Sequence, residues 1–340
     1  MLNKLRYLAL STLALAGAAH AQTIIGAGAT FPAPVYTAWG EEYNKAFGIS
    51  LNYQAIGSGA GVTQIINRTV DFGASDTPVD AEKLKANKLI QFPTVIGGVV
   101  LVVNLPGIDG NKIKLTGPIV ADMYQGKIRM WNDPAIKALN AGVSLPALAI
   151  STAYRADSSG TTNIFTSYLS GVSETFKASL GAANSVAWKV GVGLPGNAGV
   201  AGFVKTSKGA IGYVEYAYAV GDKMPIPMLQ NRAGKFVAAT VPSFEAAANQ
   251  ADWKAATVNM LNLGGDKTWP IVSATYILVP TNPTNPGAAK NLFTFLDWAF
   301  KKGSPTAAKL NYIPLPTAVQ NQSRKKWTEV LDNLNKPVWK

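Results

Sequence analysis

The sequence contains no cysteine and a single histidine, His20. Without cysteine there are no disulfides, no thiolate nucleophile and no zinc–thiolate site. His20 lies in an N-terminal segment with the form of a secretory signal. Lys4 and Arg6 make a basic start, Leu8 to Ala18 is an apolar run, and Ala19-His20-Ala21 is a small-x-small cleavage pattern. Cleavage after Ala21 is expected to remove the histidine, so the mature chain from Gln22 has neither imidazole nor thiol. The commonest general base and transition-metal ligand then leave together. The alternative, an uncleaved anchor, conflicts with the shortness of the apolar run for a membrane span. No cysteine stands beside the cleavage site to carry a lipid. The expectation is a periplasmic protein without disulfides.

Other absences narrow the function further. The formal charge is +12, yet the longest basic run is Lys325-Lys326 after Arg324, so no nucleic-acid stripe is evident. The scattered positive balance suits either solubility or a field that draws in small anions. No Gly-x-x-x-x-Gly-Lys-Ser/Thr loop supports nucleotide binding. No dense carboxylate cluster suggests a metal, so neither metal nor cofactor is expected. A phosphoester hydrolase would need groups of these kinds, and the chain is expected not to be an enzyme.

A chain of 340 residues is long enough for two cores. Strands and helices alternate from Thr23-Ile24-Ile25 onward, which points to an α/β protein with a mostly parallel sheet. The spacing predicts helices from Val35 to Phe47, from Val62, from Pro78 through Leu89, and over the alanine-rich stretch Phe244 to Leu263. A tail helix is expected to carry Trp327, Val330 and Leu334. Strands are expected at Leu51–Ile56, Val70–Ala74, Leu148–Ala153 and Ile211–Ala219. Two long β runs, Thr94–Asn104 and Ile271–Pro280, are read as crossings between domains. They divide the mature chain into a discontinuous lobe, 22–103 with 275–340, and a second lobe, 104–274. A ligand would lie in the cleft between them, outside the carboxyl ends of the strands.

Three segments share one grammar: a strand, a hydroxyl residue among small neighbours, then a helix. They centre on Thr30-Phe31, on Ser58, and on Ser159-Gly160-Thr161. Helix capping accounts for each alone. Together they offer backbone N–H groups and hydroxyls to an anion at helix starts. The richest is Tyr154 to Thr162, where Arg155 supplies a planar charge suited to a tetrahedral oxyanion. Asp157, two residues on, either forms an ordinary surface pair with Arg155 or holds its plane for the ligand. Asp76 is a carboxylate in what reads as an anion site. It is either the N-cap of the helix beginning at Pro78, or the acceptor of a proton that phosphate carries at neutral pH and sulfate does not.

These same residues carry a family resemblance. Gly26-Ala-Gly-Ala-Thr-Phe-Pro-Ala-Pro-Val-Tyr36, Ile56-Gly-Ser-Gly-Ala-Gly61, Val70-Asp-Phe-Gly-Ala-Ser-Asp76, Phe92-Pro-Thr-Val-Ile-Gly-Gly98, Arg155-Ala-Asp157 with Ser159-Gly-Thr161, and Gly209-Ala-Ile-Gly-Tyr-Val-Glu-Tyr216 resemble the PstS-type phosphate-binding proteins of the high-affinity bacterial phosphate ABC importer. The match runs in order over nearly the whole mature chain. It implies a type II periplasmic binding fold, two α/β lobes that close about a hinge on one dehydrated phosphate. It implies inorganic phosphate and the permease subunits of the importer as partners, no nucleic acid, and a monomer. The implied contacts are Thr30 and Phe31 (mainly backbone N–H), Ser58, Asp76, Arg155, Ser159, Gly160 and Thr161, with Asp157 as partner of the arginine. Ser158 departs from the family's usual glycine, which would cost backbone freedom if that position needs a positive φ. Gly59 and Ala60 mark variation in the second loop.

Overall fold

The computed structural model describes residues 23–255 and 258–340. The leader, with Lys4, Arg6, His20 and the cleavage position, lies outside the described residues. No described helix is long and apolar enough to cross a membrane.

Among the described residues twelve strands are formed: β1 (Thr23–Gly28), β2 (Ser50–Ala55), β3 (Phe72–Ser75), β4 (Leu89–Val103), β5 (Lys114–Leu115), β6 (Ser151–Arg155), β7 (Val192–Leu194), β8 (Ala210–Glu215), β9 (Met228–Gln230), β10 (Phe236–Val237), β11 (Val272–Pro280) and β12 (Ile313–Pro314). Nine of them make one sheet in the order β2-β1-β3-β11-β4-β8-β6-β7, with β12 on β4. β5, β9 and β10 form a small separate sheet. At each end the pairings are parallel, β1 with β2 and β3, and β6 with β7 and β8. The middle is antiparallel: β11 on β3 and on β4, and β4 on β8. The expectation of a mostly parallel sheet therefore holds for the two ends and fails at the centre.

β4 runs through both halves. Leu89 to Gly98 pair with β11, and Val99 to Val103 pair with β8. Val99 to Val103 are all buried, as their unbroken apolar run requires. The register between β4 and β11 slips between Thr275 and Tyr276, so that Thr94 is skipped. Pro93, which has no N–H for the ladder, sits at this slip. Such an irregularity re-aims neighbouring side chains, and Thr275 is the residue it turns toward the site described below.

Five sequence expectations are corrected. The helix expected from Pro78 through Leu89 is only Ala81–Ala86; Asp80 caps it and Leu89 already belongs to β4. The alanine-rich helix is Val241–Ala248, not Phe244–Leu263. Gln250 ends it by donating from Nε2 to the Ala246 carbonyl at 2.7 Å and to Gly264 at 2.9 Å. Helix propensity yields there to a tertiary contact. The strand expected over Ile211–Ala219 stops at Glu215, whose carboxylate accepts from Ala217 N–H at 2.9 Å and opens a helix, Tyr216–Gly221. The tail helix is Thr317–Trp327, which leaves Val330 and Leu334 beyond it. β6 begins and ends later than expected, so Arg155 is its last residue.

Candidate functional site

The first wall is the turn after β1. Thr30 and Phe31 are buried at 5% and 0% exposure. Their neighbouring carbonyls face away into three tyrosine hydroxyls. Tyr53 donates to Ala29, Tyr218 to Thr30 and Tyr312 to Phe31, each at 2.6 Å. No partner for the N–H of Thr30 or of Phe31 is found among the described residues.

Ser58 and Asp76 form the second wall. Ser58 opens the helix Ser58–Ile66, and Asp76 follows β3; both are buried. Ser58 Oγ accepts the Asp76 N–H at 3.2 Å and the Gly160 N–H at 3.0 Å. The Asp76 carboxylate accepts from Thr275 Oγ1 at 2.8 Å, with Ser58 Oγ and Thr161 Oγ1 each at 3.5 Å. Burial pushes its pKa up from 3.8 to about 7, against the bonds from Thr275, Ser58 and Thr161 and the charge of Arg155.

The third wall is the turn from β6 into the helix Gly160–Val172. The Arg155 side chain is 1% exposed. Its Nε donates to Asp157 Oδ1 at 2.7 Å and its Nη2 to Asp157 Oδ2. Nη1 is buried and has no partner among the described residues. Burial pushes Asp157 up, but the hydrogen bonds and charge of Arg155 outweigh it and hold the carboxyl below its ordinary value. Gly196 N–H adds a bond to Asp157 Oδ1 at 3.0 Å. Asp157 thus fixes the guanidinium plane, and one end of it remains free to grip an anion.

The helix starts show which of these groups serve as caps. The helix after Thr30 has Pro32 as N-cap, with no side-chain cap, and the helix at Ser58 is preceded by Gly57, also without one. Asp80, not Asp76, caps the helix after Pro78. Only Ser159 caps in the ordinary way, accepting Thr162 N–H at 3.1 Å. Ser158 is absent from the residues with positive φ, so it carries no backbone strain. It fits because Gly59 faces it: a Cβ on Gly59 would lie 2.1 Å from Ser158 Oγ.

Gly160 is where the second and third walls touch. A Cβ there would lie 2.5 Å from Ser58 Oγ and 2.6 Å from Asp76 Cβ. Gly160→Ala is expected to force the walls apart and weaken anion binding about tenfold or more, measured by equilibrium dialysis.

All nine residues expected from the sequence fall in this one place. The sequence reading missed Thr275, Glu215, Asn197 and the three tyrosines. Asn197 is fully buried, donating from Nδ2 to Thr30 Oγ1 at 2.7 Å and to Thr161 Oγ1 at 3.4 Å. Glu215 is buried with Oε2 2.9 Å from the Tyr312 hydroxyl, whose one proton the Phe31 carbonyl also faces, and burial raises its pKa well above the ordinary carboxylate value.

The family profile described as the PBP superfamily domain matches residues 14–302. The chain is 48% identical to the phosphate-binding protein PstS of Pasteurella multocida over 97% of its own length and 96% of that protein. The chain belongs to the PstS family. The PstS of Haemophilus influenzae is 47% identical over 91% of this chain and 93% of its own. A solved phosphate-binding protein from Stenotrophomonas maltophilia superposes with a TM-score of 0.68 at 19% identity, covering 89% of this chain and 93% of that one. At that identity the likeness speaks for the fold alone. This PstS-family chain has the two-lobe α/β architecture of periplasmic binding proteins, and the three walls follow the ends of β1, β3 and β6.

Proposed function

We propose that this PstS-family chain captures inorganic phosphate between two lobes in the periplasm and hands it to the membrane permease of an ABC importer. The lobes are residues 22–103 with 275–340 and residues 104–274, after a leader cleaved behind Ala21. The protein works as a monomeric receptor and not as a catalyst. Arg155 supplies the charge, held in plane by Asp157. Thr30 and Phe31 N–H, Ser58, Ser159, Gly160 and Thr161 supply further donors, and Asp76 accepts the ligand's proton. The observation that carries this reading is the buried Nη1 of a guanidinium held by Asp157, with no partner among the described residues, beside a buried carboxyl. A fully deprotonated oxyanion would meet that carboxylate as a repulsion, whereas hydrogen phosphate meets it as a hydrogen bond.

The test is equilibrium dialysis of the stripped protein with radiolabelled phosphate. One phosphate per chain is expected, displaced by arsenate, which carries protons as phosphate does, and not by equal sulfate. Failure to retain phosphate would refute the reading.

A further inference from the structure

Asn197 lies at the start of the helix Gly196–Thr206 and is no part of the three walls. Its orientation is set from behind: Glu215 N–H donates to Asn197 Oδ1 at 3.0 Å. That bond fixes which end of the amide faces the site, so Nδ2 points to Thr30 Oγ1 and Thr161 Oγ1. Asn197 also gives its own N–H to Thr30 Oγ1 at 3.3 Å. The Thr30 oxygen therefore accepts twice. A hydroxyl has two acceptor positions and one proton, so its proton must go elsewhere. The Thr161 oxygen accepts from the same amide, and its proton is directed toward Asp76 Oδ2.

The backbone beside Thr30 shows the same bias. Tyr53 loads the carbonyl of the peptide whose N–H belongs to Thr30, and Tyr218 loads the carbonyl of the peptide whose N–H belongs to Phe31. A carbonyl that accepts a bond strengthens the donor at the other end of its peptide. These hydroxyls also keep both carbonyl oxygens turned away from the site.

We propose that Asn197, with Tyr53 and Tyr218, sets the hydrogen-bond polarity of the pocket, so that Thr30 and Phe31 can only donate to the ligand and Asp76 is left as its acceptor. These are positioning residues; they act through the threonines and the peptide units. The consequence is selection by proton count: one acceptor suits a ligand with one proton, the hydrogen phosphate dianion. The proposal rests on the phosphate-binding reading above. The charged groups around Asn197 are Asp76 behind Thr161, Glu215 on the strand that donates to it, and the Asp157–Arg155 pair bonded through Gly196.

Equilibrium dialysis with labelled phosphate at about pH 5.5 and about pH 8.5 tests this with Asn197→Leu, Thr30→Val and the double variant. Asn197→Leu frees the Thr30 hydroxyl to turn round and accept. It is expected to weaken binding about tenfold at the higher pH. The loss should be at least about threefold smaller at the lower pH, where the two-proton monoanion can use a new acceptor. In the Thr30→Val background the effect of Asn197→Leu should shrink, because the hydroxyl it orients is gone. Equal losses at both pH values, additive with Thr30→Val, would overturn the proposal and leave Asn197 a packing residue. Should Asn197→Leu not fold, Tyr218→Phe keeps the ring and carries the test. Phosphate binding about threefold to tenfold weaker supports the proposal, and unchanged affinity overturns it. A wild-type protein that binds no phosphate would defeat the phosphate reading, and this inference with it.

Discussion

Asp76→Asn is expected to shrink the preference for phosphate over sulfate from about 10³-fold or more to within about tenfold. The argument is one of proton supply. The Asp76 carboxyl is 2% exposed, and burial lifts its pKa to about 7. An anion beside it requires a proton between the two. Hydrogen phosphate brings that proton; sulfate must draw it from solvent onto Asp76. The cost grows by about tenfold in affinity for each pH unit above the value of about 7 that the carboxyl has in the folded protein. Sulfate binding to the wild type should therefore weaken as pH rises from about 7 toward about 9. The Asp76→Asn variant should lose this dependence, because an amide donates to sulfate without taking up a proton. Calorimetry with both anions across that range measures it, and a sulfate affinity flat with pH in the wild type would sink the argument.

The same variant should alter stability in the absence of ligand. In the folded protein Asp76 keeps its proton to about pH 7, whereas unfolded it loses the proton near 3.8. Between these values the folded state binds more protons, so stability falls as pH rises. The span corresponds to roughly 4 kcal/mol, complete below the lower value and lost above the upper one. Glu215, also raised by burial, adds a slope of the same sign. Thermal melts in phosphate-free buffer should show Asp76→Asn flattening part of this slope, with Glu215→Gln flattening the rest.

Arg155→Ala is expected to weaken phosphate binding by about 10³-fold, the usual scale for losing one member of a buried charge-assisted contact. The loss has two parts. The ligand loses the guanidinium that grips it, and Asp157 loses its bonds to Nε and Nη2. Asp157 then remains half-buried beside an anion with the Gly196 N–H and its own N–H to hold it. Asp157→Asn separates these parts. It keeps Arg155, loosens its plane and is expected to cost about tenfold. Losses of similar size in the two variants would mean that Asp157 binds directly.

The Arg155 turn was readable because its chemistry is local. The strand, the turn and the helix start lie within one short stretch, and Ser159, Gly160 and Thr161 are the residue types an anion needs there. Gathering Thr30, Ser58 and Asp76 beside it followed from strand ends sharing one edge of a sheet. Thr275 was not readable, because it reaches Asp76 through a register slip between β4 and β11 that no residue pattern announces. Asn197 stood inside a glycine loop and resembled any polar residue before a helix. Its role depends on Glu215, Thr30 and Thr161, which are distant in sequence. A lone amide among glycine, alanine and proline was the available signal. The tyrosines read as strand or helix packing because only their hydroxyls matter. The alanine-rich helix was overextended for the opposite reason: its composition is locally clear, and Gln250 ends it through a contact to Gly264.

The most direct test is titration calorimetry of the wild-type chain, stripped of endogenous ligand, with phosphate and with sulfate at about pH 9, where Asp76 is ionised. One phosphate per chain, with sulfate at least about 10³-fold weaker, is the result predicted from the Arg155–Asp76 arrangement. Sulfate binding within about tenfold of phosphate, or no heat with phosphate, would contradict it.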